Sequence, residues 1–155
     1  MVKKQVKKAP TRRRKEVVKP ESSKPEFPYS EKYIEVVFNN FYDGILVSDI
    51  ATKEFVFWNL TISRMLGYSL AELKTLSVND IHREEDLPDV IRAFERLANQ
   101  EITVADSIPV KRKDDSVFYA DINAFRIVLE GNNCIVGIFR DITERQQVKA
   151  ALSES

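Results

Sequence analysis

Hydrophobic positions change period twice along the chain. After Ser30, which can cap a helix start, Ile34, Val37, Phe38 and Phe41 recur at i, i+3, i+4 and i+7, one apolar stripe of a helix over residues 30–41. A short strand, Gly44 to Ser48, is followed by a turn at Asp49 to Lys53 and a second strand, Glu54 to Trp58. Asn59 is placed to cap a helix that runs to Leu66, with Gly67 as its stop. Ser69 and Glu72 have the spacing of a capping box. Residues 78–85 read as a loop or a single turn. A longer helix, Leu87 to Ala98, carries Pro88 in its first turn and an apolar stripe of Val90, Ile91, Phe94 and Leu97.

The last third alternates instead. Val104, Asp106, Ile108 and Val110 take every second place, as a half-buried strand requires. A turn at Lys113 to Ser116 leads to an alternating run from Val117 to Val128. A second turn, Glu130 to Asn133, leads to a last strand, Cys134 to Arg140. Three consecutive strands joined by tight turns predict an antiparallel meander. Both parities of the last strand are mostly apolar, so it should be covered on both faces. Thr143 and Gln146 have capping-box spacing ahead of a polar helix carrying Val148, Ala151 and Leu152. The class this order predicts is α+β.

Charge divides the 155-residue chain. Residues 1–25 hold ten Lys/Arg against two Glu, whereas the remainder holds 14 basic and 22 acidic groups, so a +8 tail precedes a −8 body and the net charge is zero. Residues 1–29 contain four of the six prolines and little apolar content, and read as a basic, disordered arm. Its alternative role is binding nucleic acid or anionic lipid. The absence of aromatic residues among its charges argues against nucleic acid. A single cysteine, Cys134, leaves no internal disulfide and fits a reducing compartment. No run approaches a membrane-spanning length, and the expectation is a cytoplasmic location.

Several short motifs point to one family. Residues 43–49 (Asp-Gly-Ile-Leu-Val-Ser-Asp) resemble the first strand of PAS sensory domains. Asn59 through Gly67-Tyr68-Ser69 and Glu72-Leu73, then Asp80-Ile81-His82 with Glu85-Asp86, follow that family's pattern. So do Lys111-Arg112-Lys113-Asp114 and, most closely, Gly137 to Arg145. The resemblance spans about residues 30–150. It implies a five-stranded antiparallel sheet with short helices on one face, divided as arm (1–29), flanking helix (30–42), PAS domain (43–143) and start of a signalling helix (144–155). One departure is Asp115, where the family usually has Gly; the turn should persist with some strain.

By the family pattern a ligand pocket would be lined by Ile45, Val47, Phe57, Met65, Phe94, Ile108, Val110, Ile122, Ala124 and Ile135; a plain packed core is the alternative. Asp106 breaks its apolar alternation. Turned inward, its carboxylate would be costly unless it met a polar ligand or a water, and a register slip near the strand start would leave it in solvent instead. Ile34, Val37, Phe38 and Phe41 could cover the outer sheet face, within the chain or across a homodimer.

His82, the only histidine, has three functional readings and a simpler one, a turn histidine satisfied by backbone groups. The position for haem ligation falls near Asp89, a poor haem ligand. No helix pair and glycine-rich nucleotide lobe follows to support phosphotransfer, and no second His or nearby Cys supports a metal. Cys134 falls on the last strand, away from the helix-side thiol that a covalent flavin adduct requires in the light-oxygen-voltage subfamily, and reads as a small buried residue. Haem and covalent-adduct flavin are therefore disfavoured, with the cofactor otherwise open.

Asp141 and Thr143, the DIT motif, would tie the sheet to the exit helix, whose Val148 and Leu152 fit a coiled-coil seam. No phosphate-cradling glycine cluster and no catalytic constellation occurs, so no enzyme activity is expected. The function implied is a sensor that binds a small molecule or partner and relays the change to an effector in a longer parent chain. A ligand-free dimerisation module and a nucleic-acid-associated protein are the alternatives.

Overall fold

The computed structural model describes residues 30–154. The basic arm, with its expected disorder and any nucleic-acid role, lies outside the described residues. The elements are α1 (Glu31–Asn39), β1 (Gly44–Asp49), β2 (Phe55–Trp58), α2 (Leu60–Leu66) and α3 (Leu70–Leu73), two 3₁₀ turns (Val78–Ile81 and Glu84–Asp86), α4 (Leu87–Ala98), β3 (Val104–Lys111), β4 (Val117–Leu129), β5 (Asn132–Asp141) and α5 (Thr143–Glu154). The strands form one antiparallel sheet in the order β2-β1-β5-β4-β3. The last three strands form the expected meander. The segment read as a loop or one turn holds two 3₁₀ turns. Among the described residues no helix is long and apolar enough to cross a membrane.

Local chemistry fixes the first corner. Asn59, fully buried, accepts from the Ile62 amide (3.1 Å), closing the N-terminus of α2, and from the Ile45 amide (2.9 Å). Its Nδ2 donates to the Phe38 carbonyl (2.9 Å) and the Asp43 carbonyl (3.3 Å). One side chain therefore joins the end of α1, the start of β1 and the start of α2. Gly67 takes the left-handed φ of 84° that ends α2, and Ser69 with Glu72 closes a capping box on α3. Leu46, Ile62, Leu66, Leu73, Ile81 and Phe118 bury together where the helices meet the inner sheet face.

The β3–β4 pair contains a bulge. Ala105 pairs Ile122 but Ile108 pairs Ala120, and Ser107 adopts φ 54°. The extra residue moves Asp106 into solvent and brings Ala105, not Asp106, to the core face. This is the register slip that the cost of a buried carboxylate favours. At the next turn Asp115 accepts φ 72° in place of the family's glycine. The adjacent Asp114 Oδ1 holds the turn by accepting from the Ser116 amide (3.0 Å) and hydroxyl (2.6 Å).

Candidate functional site

Between α4 and the inner sheet face lies a cavity of about 60 Å³. Its floor comes from Leu46 and Ser48 of β1, Ala105 and Ile108 of β3, Ile122 and Ala124 of β4, and Ile135, Gly137 and Phe139 of β5. Phe55, Val78, Ile81 and His82 close the sides, and Val90, Ala93, Phe94 and Leu97 of α4 form the roof.

Of the residues expected to line a pocket, the cavity brings together Phe94, Ile108, Ile122, Ala124 and Ile135. The others lie elsewhere. Ile45 and Val47 face the outer side of the sheet with Cys134, Val136 and Ile138, and Phe57, opposite Val47, is half exposed there. Met65 packs against the core beneath α2, Val110 is buried beside the cavity without lining it, and Asp106 is in solvent. The β1 parity was unreadable because Ile45, Leu46 and Val47 are all apolar. The usable signal was Gly44: a Cβ there would meet Ile62 Cδ1 at 2.7 Å and Met65 Sδ at 2.8 Å, so Gly44, Leu46 and Ser48 share the helix-covered face.

Ser48 and His82 were not anticipated as lining residues, yet they supply its polar side chains, each 4% exposed. His82 Nδ1 lies 2.8 Å from the Pro109 carbonyl. A carbonyl only accepts, so Nδ1 carries the ring proton and Nε2 is left as a bare acceptor. Burial pushes the imidazole pKa below its ordinary value, against the opposing pull of the carbonyl bond and of Asp86. The backbone-satisfied turn histidine is thus half the story, because the ring also borders the cavity. Asp89 is exposed and paired with Arg92 (2.8 Å). Cys134, 1% exposed, is on the outer face with its thiol pKa raised by burial and by nearby Asp49.

A second polar cluster lies where β5 gives way to α5. Asp121 of β4 accepts from the Ser107 amide at the β3 bulge (2.9 Å) and from Arg145 Nη2 of α5 (2.7 Å). Burial pushes this carboxyl up, but those two donors outweigh it and hold its pKa below the ordinary value. The two DIT side chains share the joint between sheet and helix. Asp141 Oδ1 accepts from the Thr143 amide (2.9 Å) and so caps the helix, whereas the Thr143 hydroxyl accepts from the Tyr119 amide of β4 (3.1 Å). Arg140, next to Asp141 in the chain, pairs with Asp43 (3.2 Å). Val148 and Leu152 are largely exposed on α5.

The flanking-helix residues differ among themselves. Phe38 stacks on Phe57 with ring centroids 4.9 Å apart, while Ile34, Val37 and Phe41 are about half exposed.

The architecture is thus a five-stranded antiparallel sheet with helices and a small cavity on one face. Residues 32–142 match the family model described as the PAS fold, and the chain belongs to that family. The solved PAS domain of an HTR-like protein from Haloarcula marismortui is similar over 72% of this chain and 91% of that one, at 25% identity and TM-score 0.61. A domain of a sensory box sensor histidine kinase/response regulator from Geobacter sulfurreducens is similar over 72% and 93%, at 20% identity and TM-score 0.57. A LOV protein from Rhodobacter sphaeroides is similar over 72% and 66%, at 15% identity and TM-score 0.56. No curated protein matches the chain.

Proposed function

We propose that this PAS domain is a sensor and relay: occupancy of the inner cavity, by a small molecule or through a partner, changes how α5 leaves the sheet, and α5 passes the change to an effector. The observation that carries the reading is the double engagement of Asp121. One oxygen holds the Ser107 amide, flanked in the bulge by cavity residues Ala105 and Ile108, and the other holds Arg145 on α5. A ligand that displaces the bulge must move the carboxylate on which α5 is tethered. Asp141 and Thr143 are the local joint, capping α5 and fastening its start to Tyr119. A histidine-kinase relative supports an effector reached through such a helix.

Three features argue against haem and a covalent flavin adduct. A cavity of about 60 Å³ cannot hold a macrocycle, the helix position suited to haem ligation holds exposed Asp89, and the one thiol faces the other side of the sheet. A homodimer through the outer face is the accompanying reading, supported by half-exposed Val37, Phe41, Phe57 and Phe125.

Replacing Asp121 by Asn tests the relay. The substitution removes the ion pair with Arg145, and hydrogen exchange of α5 amides 147–150 is expected to speed up about threefold or more, with α2 unaffected. Unchanged α5 exchange sinks the reading.

A further inference from the structure

Ser48 and His82 are the polar side chains among otherwise apolar lining residues, and among the described residues Ser48 Oγ and His82 Nε2 have no hydrogen-bond partner. Asn59 and Ser63, the other buried polar residues, are satisfied: Asn59 makes four hydrogen bonds and Ser63 donates to the Tyr68 carbonyl (2.5 Å). Buried polar atoms without partners in a native interior are ordinarily accounted for by a water or a ligand.

The lining also defines the charge and size of what enters. It contains no Lys, Arg, Asp or Glu, so an ion would lose its hydration without gaining a counter-charge. The Lys53 ammonium sits 5.4 Å from the centroid of the Phe94 ring and is not part of the lining. A dry cavity of about 150 Å³ accepts the six carbons of benzene, so about 60 Å³ suits on the order of three heavy atoms.

We infer that the cavity binds a small neutral hydroxylic molecule of the short-chain alcohol class, its carbons against Phe94, Ile108 and Ile122 and its hydroxyl donating to His82 Nε2. This rests on the reading of the cavity as the sensory site and deepens it. The donor must come from the ligand because His82 has already given its ring proton to Pro109. Ser48 belongs to β1, separated from β3 by two strands, and is left to a water or a second polar group at the far end.

The matched probes are ethanol and acetonitrile, which share a count of three heavy atoms while only the alcohol donates. His82 is the sole histidine, so the full chain labelled with ring-¹⁵N histidine gives one pair of ring signals. The free protein should show an unprotonated Nε2. Ethanol should shift that signal saturably, with a dissociation constant about fivefold below that of acetonitrile, as one added hydrogen bond implies. Acetonitrile should leave Nε2 unmoved. Ala124→Leu, which fills the cavity from its floor, should abolish alcohol binding while the amide spectrum stays dispersed. A protonated Nε2 in the neutral ring, equal affinities for the two probes, or no saturable shift would overturn the inference. None of those results bears on the α5 exchange in Asp121→Asn, so loss of this ligand class and loss of the relay are separately visible.

Discussion

Two regions on the same face of one sheet are built to opposite rules. At the α1–β1–α2 corner every polar atom of buried Asn59 is used and no space remains: even a methyl on Gly44 would collide with Ile62 and Met65. Under α4, the floor beside Gly137 borders open volume, a bulge interrupts the ladder, and two buried polar atoms lack partners among the described residues. The difference teaches where the fold stores rigidity and where it keeps freedom. Close packing transmits strain without yielding, whereas a bulged, underfilled region can rearrange. A sensor needs both, the first as a fixed frame and the second as the part that moves.

The contrast can be broken at its strongest point first. Asn59→Ala removes a helix cap and leaves the Ile45 amide and the Phe38 carbonyl without their side-chain partner. It should cost roughly 2–4 kcal/mol, read from the shift in denaturant midpoint. A loss below about 1 kcal/mol would mean the corner is not the frame. The same substitution in the two regions is the sharper comparison. Gly44→Ala should cost about 1–3 kcal/mol through overpacking against the α2 backbone, whose Ile62 Cα lies 3.1 Å from the new carbon. Gly137→Ala places its carbon 3.1 Å from Phe139 Cε1, a side chain bordering the cavity, and should cost under about 1 kcal/mol. Equal costs would erase the distinction.

The smallest effect is in pH. The folded pKa of His82 lies below its unfolded value of 6.5, so the unfolded chain takes up the proton first. Stability is unaffected above about pH 7 and falls as pH drops through 6.5, by at most about 1.4 kcal/mol per unit, until the folded pKa is passed. Asp86 and the Pro109 carbonyl limit the drop. His82→Gln should flatten the stability profile between pH 7 and 5, measured by denaturation at each pH. A slope that persists in this variant assigns the effect elsewhere.

The elements were legible because periodicity and caps are local. Asn59, Gly67, Ser69 and Glu72 announce their helix ends within four residues, and alternation from Val117 onward shows the meander. The cavity was legible only where one parity is apolar, as at Ile122 and Ala124. In β1 three consecutive apolar residues hide the parity, and in β3 the bulge shifts Asp106 out and Ala105 in. His82 reads as a turn residue because its burial depends on Pro109, 27 positions away. The Asp121–Arg145 link joins residues 24 apart in a charged chain, where pairing has no sequence signature.

The central claim is that the cavity and α5 move together while the α2 corner stays still. Residue-resolved hydrogen exchange on Ala124→Leu tests it most directly. Filling the cavity should change protection at amides 147–150 of α5 by about threefold or more, in step with Ser107 and Ile108, and leave residues 62–66 as in the parent. Altered protection at the bulge with α5 unchanged would contradict it.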